Sequence, residues 1–176
     1  MRNWGGVLTT ISCAMLLVGV MAHAGEHHDY APYKGSAEFE RIKQLAGRWQ
    51  GTSTMDGGEE PAQVEYRVTS GGSAIVEMLF PGTPHEMVSI YTERGGKLVL
   101  THYCMLGNQP RLQLGTHDND RLEFSLAGDS GIDAAEPHMH ALSLSFDGPN
   151  KVTQRWAMFE SGKEKDATTI ALTRVQ

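Results

Sequence analysis

Gln63-Val64-Glu65-Tyr66-Arg67-Val68 and Arg121-Leu122-Glu123-Phe124-Ser125-Leu126 each alternate polar and apolar residues with a period of two, the pattern of a strand buried on one face. The same period runs from Gly47 to the end of the chain. It is broken at intervals by turn-forming clusters: Asp56-Gly57-Gly58, Ser70-Gly71-Gly72, Gly95-Gly96, His117-Asp118-Asn119-Asp120, Asp147-Gly148-Pro149-Asn150 and Ser161-Gly162-Lys163. These residues tolerate positive φ or preset a turn, so they divide the chain into about ten strands, and consecutive strands run antiparallel. A meander with one apolar face per strand hides that face by closing on itself, which also removes the exposed edges. The predicted class is all-β: an up-and-down antiparallel barrel of about ten strands, wide enough to hold a small ligand.

Upstream of the strands the period changes. Ser36 is placed to cap a helix of about three turns with Phe39, Ile42, Leu45 and Ala46 on one face and Gly47 as its stop. Residues 25–35 are polar and without period, a flexible leader. Residues 1–24 read as a secretory signal peptide: Arg2 in the n-region, an apolar stretch from Gly5 to Met21, and Ala22-His23-Ala24 as the cleavage site. The apolar stretch is short for a membrane span. The organisation is therefore a signal peptide, a leader, and one barrel domain over 36–176. The localisation is periplasmic or secreted, with no stable membrane insertion after processing.

The formal net charge of −6 gives no handle on nucleic acid. Of the two cysteines, Cys13 falls in the signal, so Cys104 has no internal partner and stability rests on packing. No G-x-S-x-G elbow, P-loop, H-E-x-x-H or C-x-x-C is present, and the chain reads as a binding protein more readily than as an enzyme.

Leu45-Ala46-Gly47-Arg48-Trp49-Gln50-Gly51, a short helix running into G-x-W-x-G on the first strand, resembles the opening of calycin-type barrels: lipocalins, fatty-acid-binding proteins and the haem-binding nitrobindins. The resemblance implies that Trp49 closes the barrel floor and that a basic residue on the last strand, Arg174, packs over it. The nitrobindin-like pattern continues with a glycine where this chain has Ser53, so haem does not carry over with the motif. Phe80-Pro81-Gly82-Thr83-Pro84-His85-Glu86-Met87, Thr101-His102-Tyr103-Cys104 and Gly107-Asn108-Gln109-Pro110-Arg111 look like uncharacterised secreted bacterial proteins of this barrel type, which implies no activity.

The candidate site follows from hairpin register. With Gly95-Gly96 as a two-residue turn, Tyr91 faces Leu100, Ser89 faces His102 and Met87 faces Cys104. His85, Met87, Ser89, Tyr91, Leu100, His102 and Cys104 then share one face. The opposite face, Val88, Ile90, Val99, Thr101 and Tyr103, is about as apolar, so the hairpin leaves open which side lines the lumen. Farther on, His138 and His140 fall in register with Leu142, Leu144 and Phe146, which predicts that both point inward. A lumen carrying these histidines, Cys104 and Trp156 against an apolar wall suits a selective small-molecule site. Asn108 and Arg111 fall on a loop at a barrel end, where ligands are gated.

Each candidate also has a plainer reading: a buried imidazole bonded to its neighbours, a cysteine acting as a small hydrophobe, tryptophans as core anchors. The leading expectation is a carrier or sensor of a small, largely apolar molecule. The alternative is a metal- or haem-binding barrel, catalytic or not, with His102, His138 and His140 as ligands. Separately, cleavage after Ala24 would expose Gly25-Glu26-His27, a free amine with histidine third, which wraps Cu(II) or Ni(II) in square-planar nitrogen.

Overall fold

The computed structural model describes Met1 and residues 31–175. The expected signal peptide apart from Met1, the leader up to residue 30 and His27 lie outside the described residues. Among the described residues a single helix α1 (Ala37–Lys43) precedes ten strands: β1 (Gly47–Ser53), β2 (Glu60–Thr69), β3 (Ala74–Leu79), β4 (Met87–Arg94), β5 (Lys97–Tyr103), β6 (Arg111–His117), β7 (Arg121–Leu126), β8 (His138–Phe146), β9 (Lys151–Glu160) and β10 (Lys163–Arg174). Each strand pairs antiparallel with the next, and β1 pairs with β10, so the sheet is a closed barrel. Every strand therefore has two neighbours and no edge is left open.

Two short 3-10 turns occupy Met55–Gly57 and Ser70–Gly72, where glycine-rich clusters were expected to break the strands. Gly95 and Gly96 both take positive φ in the β4–β5 turn, and the predicted register holds, with Tyr91 opposite Leu100 and Ser89 opposite His102. The question left open by that hairpin is resolved by burial: Met87, Ser89, Tyr91, Leu100 and His102 are buried, while Tyr103 on the other face is 46% exposed.

The helix is shorter than expected, seven residues. Ser36 caps it, its hydroxyl accepting from the Phe39 amide. After Lys43 the chain tightens through Leu45 N–H to Ile42 and Ala46 N–H to Lys43 bonds, and Gly47 enters the sheet at φ 126°, which excludes a third turn. Phe39 and Ile42 are fully buried, contributing about 1.5–3 kcal/mol each, and with Leu45 they belong to the barrel core.

Trp49, also buried, donates its indole N–H to the Leu45 carbonyl at 2.7 Å. The Arg174 guanidinium stacks over the indole at 4.3 Å and donates to the Ala46 and Gln44 carbonyls. Last strand, first strand and helix are thus fastened at one end of the barrel, the floor.

The middle is filled. Tyr66, Tyr91, Phe124, Ile75, Leu79, Leu100, Leu112, Leu122 and Leu142 are all buried to within 1%. Ten strands enclose a wide section, and here side chains take up that width instead of leaving it hollow.

Candidate functional site

The fold gathers polar groups at the centre of this apolar interior. Glu77 falls at an inward position of β3, between Ile75 and Leu79, and is fully buried. The Tyr91 hydroxyl donates to its Oε2 at 2.9 Å, and the Gln154 amide donates to its Oε1 at 2.5 Å. Gln154 Nε2 also meets the Tyr66 hydroxyl at 2.5 Å, while Trp156 Nε1 donates to Gln154 Oε1 at 2.9 Å. Burial pushes the Glu77 carboxyl above its ordinary value, against hydrogen bonds from Tyr66, Tyr91, Gln154 and Ser89 that pull it down. Burial, then the Glu77 charge, drives the Tyr66 and Tyr91 hydroxyls well above theirs. A buried carboxylate with this many donors is satisfied. Sequence reading did not single out Glu77 or Gln154. The signal was there in parity, since each is a polar residue at an inward position of its strand.

His102, on β5, lies against this cluster. Ser89 Oγ stands 3.0 Å from its Nδ1, and the Trp156 ring lies beside it at 4.6 Å between centroids. Its Nε2 is buried with no partner. Burial lowers the His102 pKa to about 4, so the ring is neutral across the ordinary pH range. The ring borders a small inner pocket that also takes in Met55, Leu79, Phe80, Met87, Met139, Trp156, Thr168 and Ile170. Its free volume is about 20 Å³, room for about one water molecule.

Above it, at the end of the barrel away from the helix, lies a cleft of about 350 Å³ lined by Ser53, Met55, Gly58, Glu60, Pro61, Phe80, Thr83 and His85. The two spaces share Met55 and Phe80, which form the partition between them. Phe80 sits at φ 52°, a conformation costing a bulky residue about 1–3 kcal/mol. It is held there by its own amide on the Gln63 carbonyl at 2.9 Å and by the Thr83 hydroxyl on its carbonyl at 2.8 Å. His85 is part-buried on the cleft wall, with Nδ1 buried and unpartnered. Ser53 is buried, and its hydroxyl accepts from the Met55 amide at 3.1 Å, so it positions the partition.

The inward placement of His138 and His140 is corrected. The β8–β9 register runs His138 opposite Phe159, Met139 opposite Met158, then Ala141 opposite Ala157. His140 is the extra residue of a bulge, and the insertion reverses parity beyond it. Met139, not either histidine, joins Leu142 and Trp156 on the inward row and borders the inner pocket. The two imidazoles bond each other, His138 Nε2 to His140 Nδ1 at 3.1 Å, and His140 stacks on Phe159 at 4.0 Å. Burial and then the His138 charge lower the His140 pKa.

His102, His138 and His140 are thus not brought together. Among the described residues no group of three or more histidine, cysteine, aspartate or glutamate side chains is placed for a metal ion. Cys104 is buried, and burial raises its thiol pKa, away from the thiolate that reactivity needs. Asn108 ties its loop to the Pro137 carbonyl at 2.8 Å, and Arg111 pairs with Asp129, so neither lines the cleft. Met87, His102 and Trp156 border the inner pocket, and His85 the cleft. Tyr91 serves the Glu77 network.

No family model matches the chain, and no curated protein does. Among solved structures the barrel is similar to a protein of unknown function of the DUF3598 family from Nostoc punctiforme, with a TM-score of 0.52 at 12% identity over 76% of this chain and 49% of that one. This chain spans about half the length of that relative. A redesigned β-barrel also matches, with a TM-score of 0.35 at 14% identity over 76% of this chain and 94% of that one. The likeness to the Nostoc protein is one of fold, a closed antiparallel β-barrel.

Proposed function

We propose that the protein is an exported binding protein of calycin type, a carrier or sensor in the periplasm or outside the cell. Its ligand is a small, largely apolar molecule held at the barrel mouth. The observation that carries this reading is the mouth cleft. It has the volume of a small-molecule site, its floor is the apolar pair Met55 and Phe80, and its wall presents one buried unpartnered nitrogen, His85 Nδ1. An apolar body that lies on Met55, Pro61 and Phe80 and turns its polar side toward Glu60, Thr83 and His85 matches that lining. The calycin assignment draws on Trp49 capped by Arg174 over a helix-closed floor, and the export assignment on residues 1–24.

Two expectations about the lumen change. The ligand sits at the mouth and not in a hollow centre, because tyrosines, phenylalanine and leucines fill the centre. Haem, which the nitrobindin-like resemblance raises, does not fit: the inner pocket holds about 20 Å³, and Tyr66, Tyr91, Leu100 and Phe124 occupy the space a porphyrin would need.

The test is thermal denaturation of the purified protein against a panel of lipophilic compounds. A compound at a hundred times its dissociation constant stabilises by about 2.7 kcal/mol, and for a ligand with a polar group His85→Leu should abolish most of that gain. Equal stabilisation of wild type and both His85→Leu and Met55→Ala would place the ligand elsewhere and defeat the proposal.

A further inference from the structure

The inner pocket beneath the mouth cleft has a chemistry of its own. Three of the side chains bordering it, Met55, Met87 and Met139, end in thioethers, and they arrive from the turn after β1, from β4 and from β8. A fourth, His102, brings an imidazole whose Nε2 is buried and has no partner. No carboxylate borders the pocket. We infer that it is a site for one soft monovalent cation of the Cu(I) type, held by His102 Nε2 and the methionine sulfurs.

Thioether and imidazole donors select soft ions, whereas hard divalent cations require carboxylate or carbonyl oxygen. The space of about 20 Å³ admits a single small particle. A buried, uncharged donor set also favours a single positive charge over two, because desolvation grows with charge. Behind the ring the orientation is already set. With Nδ1 as the protonated nitrogen, His102 donates to Ser89 Oγ at 3.0 Å, and Ser89 stands opposite Glu77 in the β3–β4 pairing. This bond fixes the ring through Nδ1 and leaves the Nε2 lone pair free on its far side, the arrangement that orients a metal-bound histidine. Met139 stands opposite Met158, in the same row as Leu142 and Trp156. This site lies behind Met55 and Phe80 and does not depend on the mouth cleft binding an organic ligand.

The test uses the purified protein carrying Cys104→Ser, so that thiol capture is removed, titrated with Ag(I) as a redox-inert stand-in for Cu(I). Methionine methyl groups are observed by carbon-13 NMR. One equivalent should move the Met55, Met87 and Met139 methyls and leave that of the exposed Met105 in place. The near-isosteric pair Met87→Leu and Met139→Leu should weaken Ag(I) binding roughly a hundredfold, and Ser89→Ala, a positioning change, about tenfold. Unmoved Met87 and Met139 signals at saturation would refute the site. So would undiminished affinity in the double leucine variant. Stabilisation by lipophilic compounds, which reports on His85, stands or falls separately.

Discussion

Replacing His102 with leucine isolates one titration in the core. The imidazole pKa is lowered from 6.5 to about 4 by burial, so between those values the unfolded chain binds the proton and the folded one does not. Stability from this group is therefore complete above about pH 6.5 and is lost as pH falls toward 4, a change of about 3 kcal/mol. Glu77 acts in the opposite sense: its raised pKa makes the folded state bind the proton more tightly, so its contribution declines as pH rises. The two are separated by comparing wild type with His102→Leu in urea at pH 7 and pH 4.5. The variant should lose less stability on acidification, and parallel losses would mean that His102 titrates normally. Glu77→Leu deprives Tyr91 and Gln154 of their acceptor and should cost about 3 kcal/mol or more. Glu77→Gln, which keeps an acceptor oxygen, should cost clearly less in the same denaturation experiment.

At the scale of elements, the strand that misled sequence reading was β8. Histidines at 138 and 140 share parity with Leu142 in any regular strand, and nothing in Pro137-His138-Met139-His140 signals an inserted residue. The bulge is set by pairing with Met158 and Ala157 on β9, information that lies in the partner strand. The β4–β5 hairpin was legible because its two glycines fix both turn and register. The short helix was legible in its cap and buried face, and its length was not, because Gly47 was needed by the sheet. Deleting His140 should restore a regular ladder and keep Met139 beside Trp156. An intact Met139 to Trp156 nuclear Overhauser effect in a folded deletion variant is the expected result, and its loss would mean that the bulge itself orients the strand. At the closing seam, Gly51 pairs with Leu172, and a side-chain carbon there would run into the Ala171 carbonyl oxygen. Gly51→Ala should therefore destabilise by about 1–3 kcal/mol or more in thermal melts, while Gly57→Ala, in open space but at positive φ, should cost about 1 kcal/mol.

For the molecule as a whole, period-two alternation and regularly spaced turns were enough to predict a closed meander, because closure is the arrangement that hides one apolar face per strand and leaves no edge. They could not show how far the interior is filled, since that depends on which side chains meet across the barrel. Tyr66, Tyr91 and Gln154 meet at Glu77 from β2, β4 and β9, a convergence that spacing along the chain does not encode. A barrel closed by helix and Arg174 at one end and packed through its middle leaves, among the described residues, the cleft over Met55 and Phe80 at the other end as the ligand site proposed above. Methionine methyl NMR during titration with the lipophilic probe N-phenyl-1-naphthylamine tests this most directly. The account predicts that the Met55 signal shifts with saturation while that of Met105, on the exposed loop after β5, stays still; a shift confined to Met105, or the absence of any saturable shift, would contradict it.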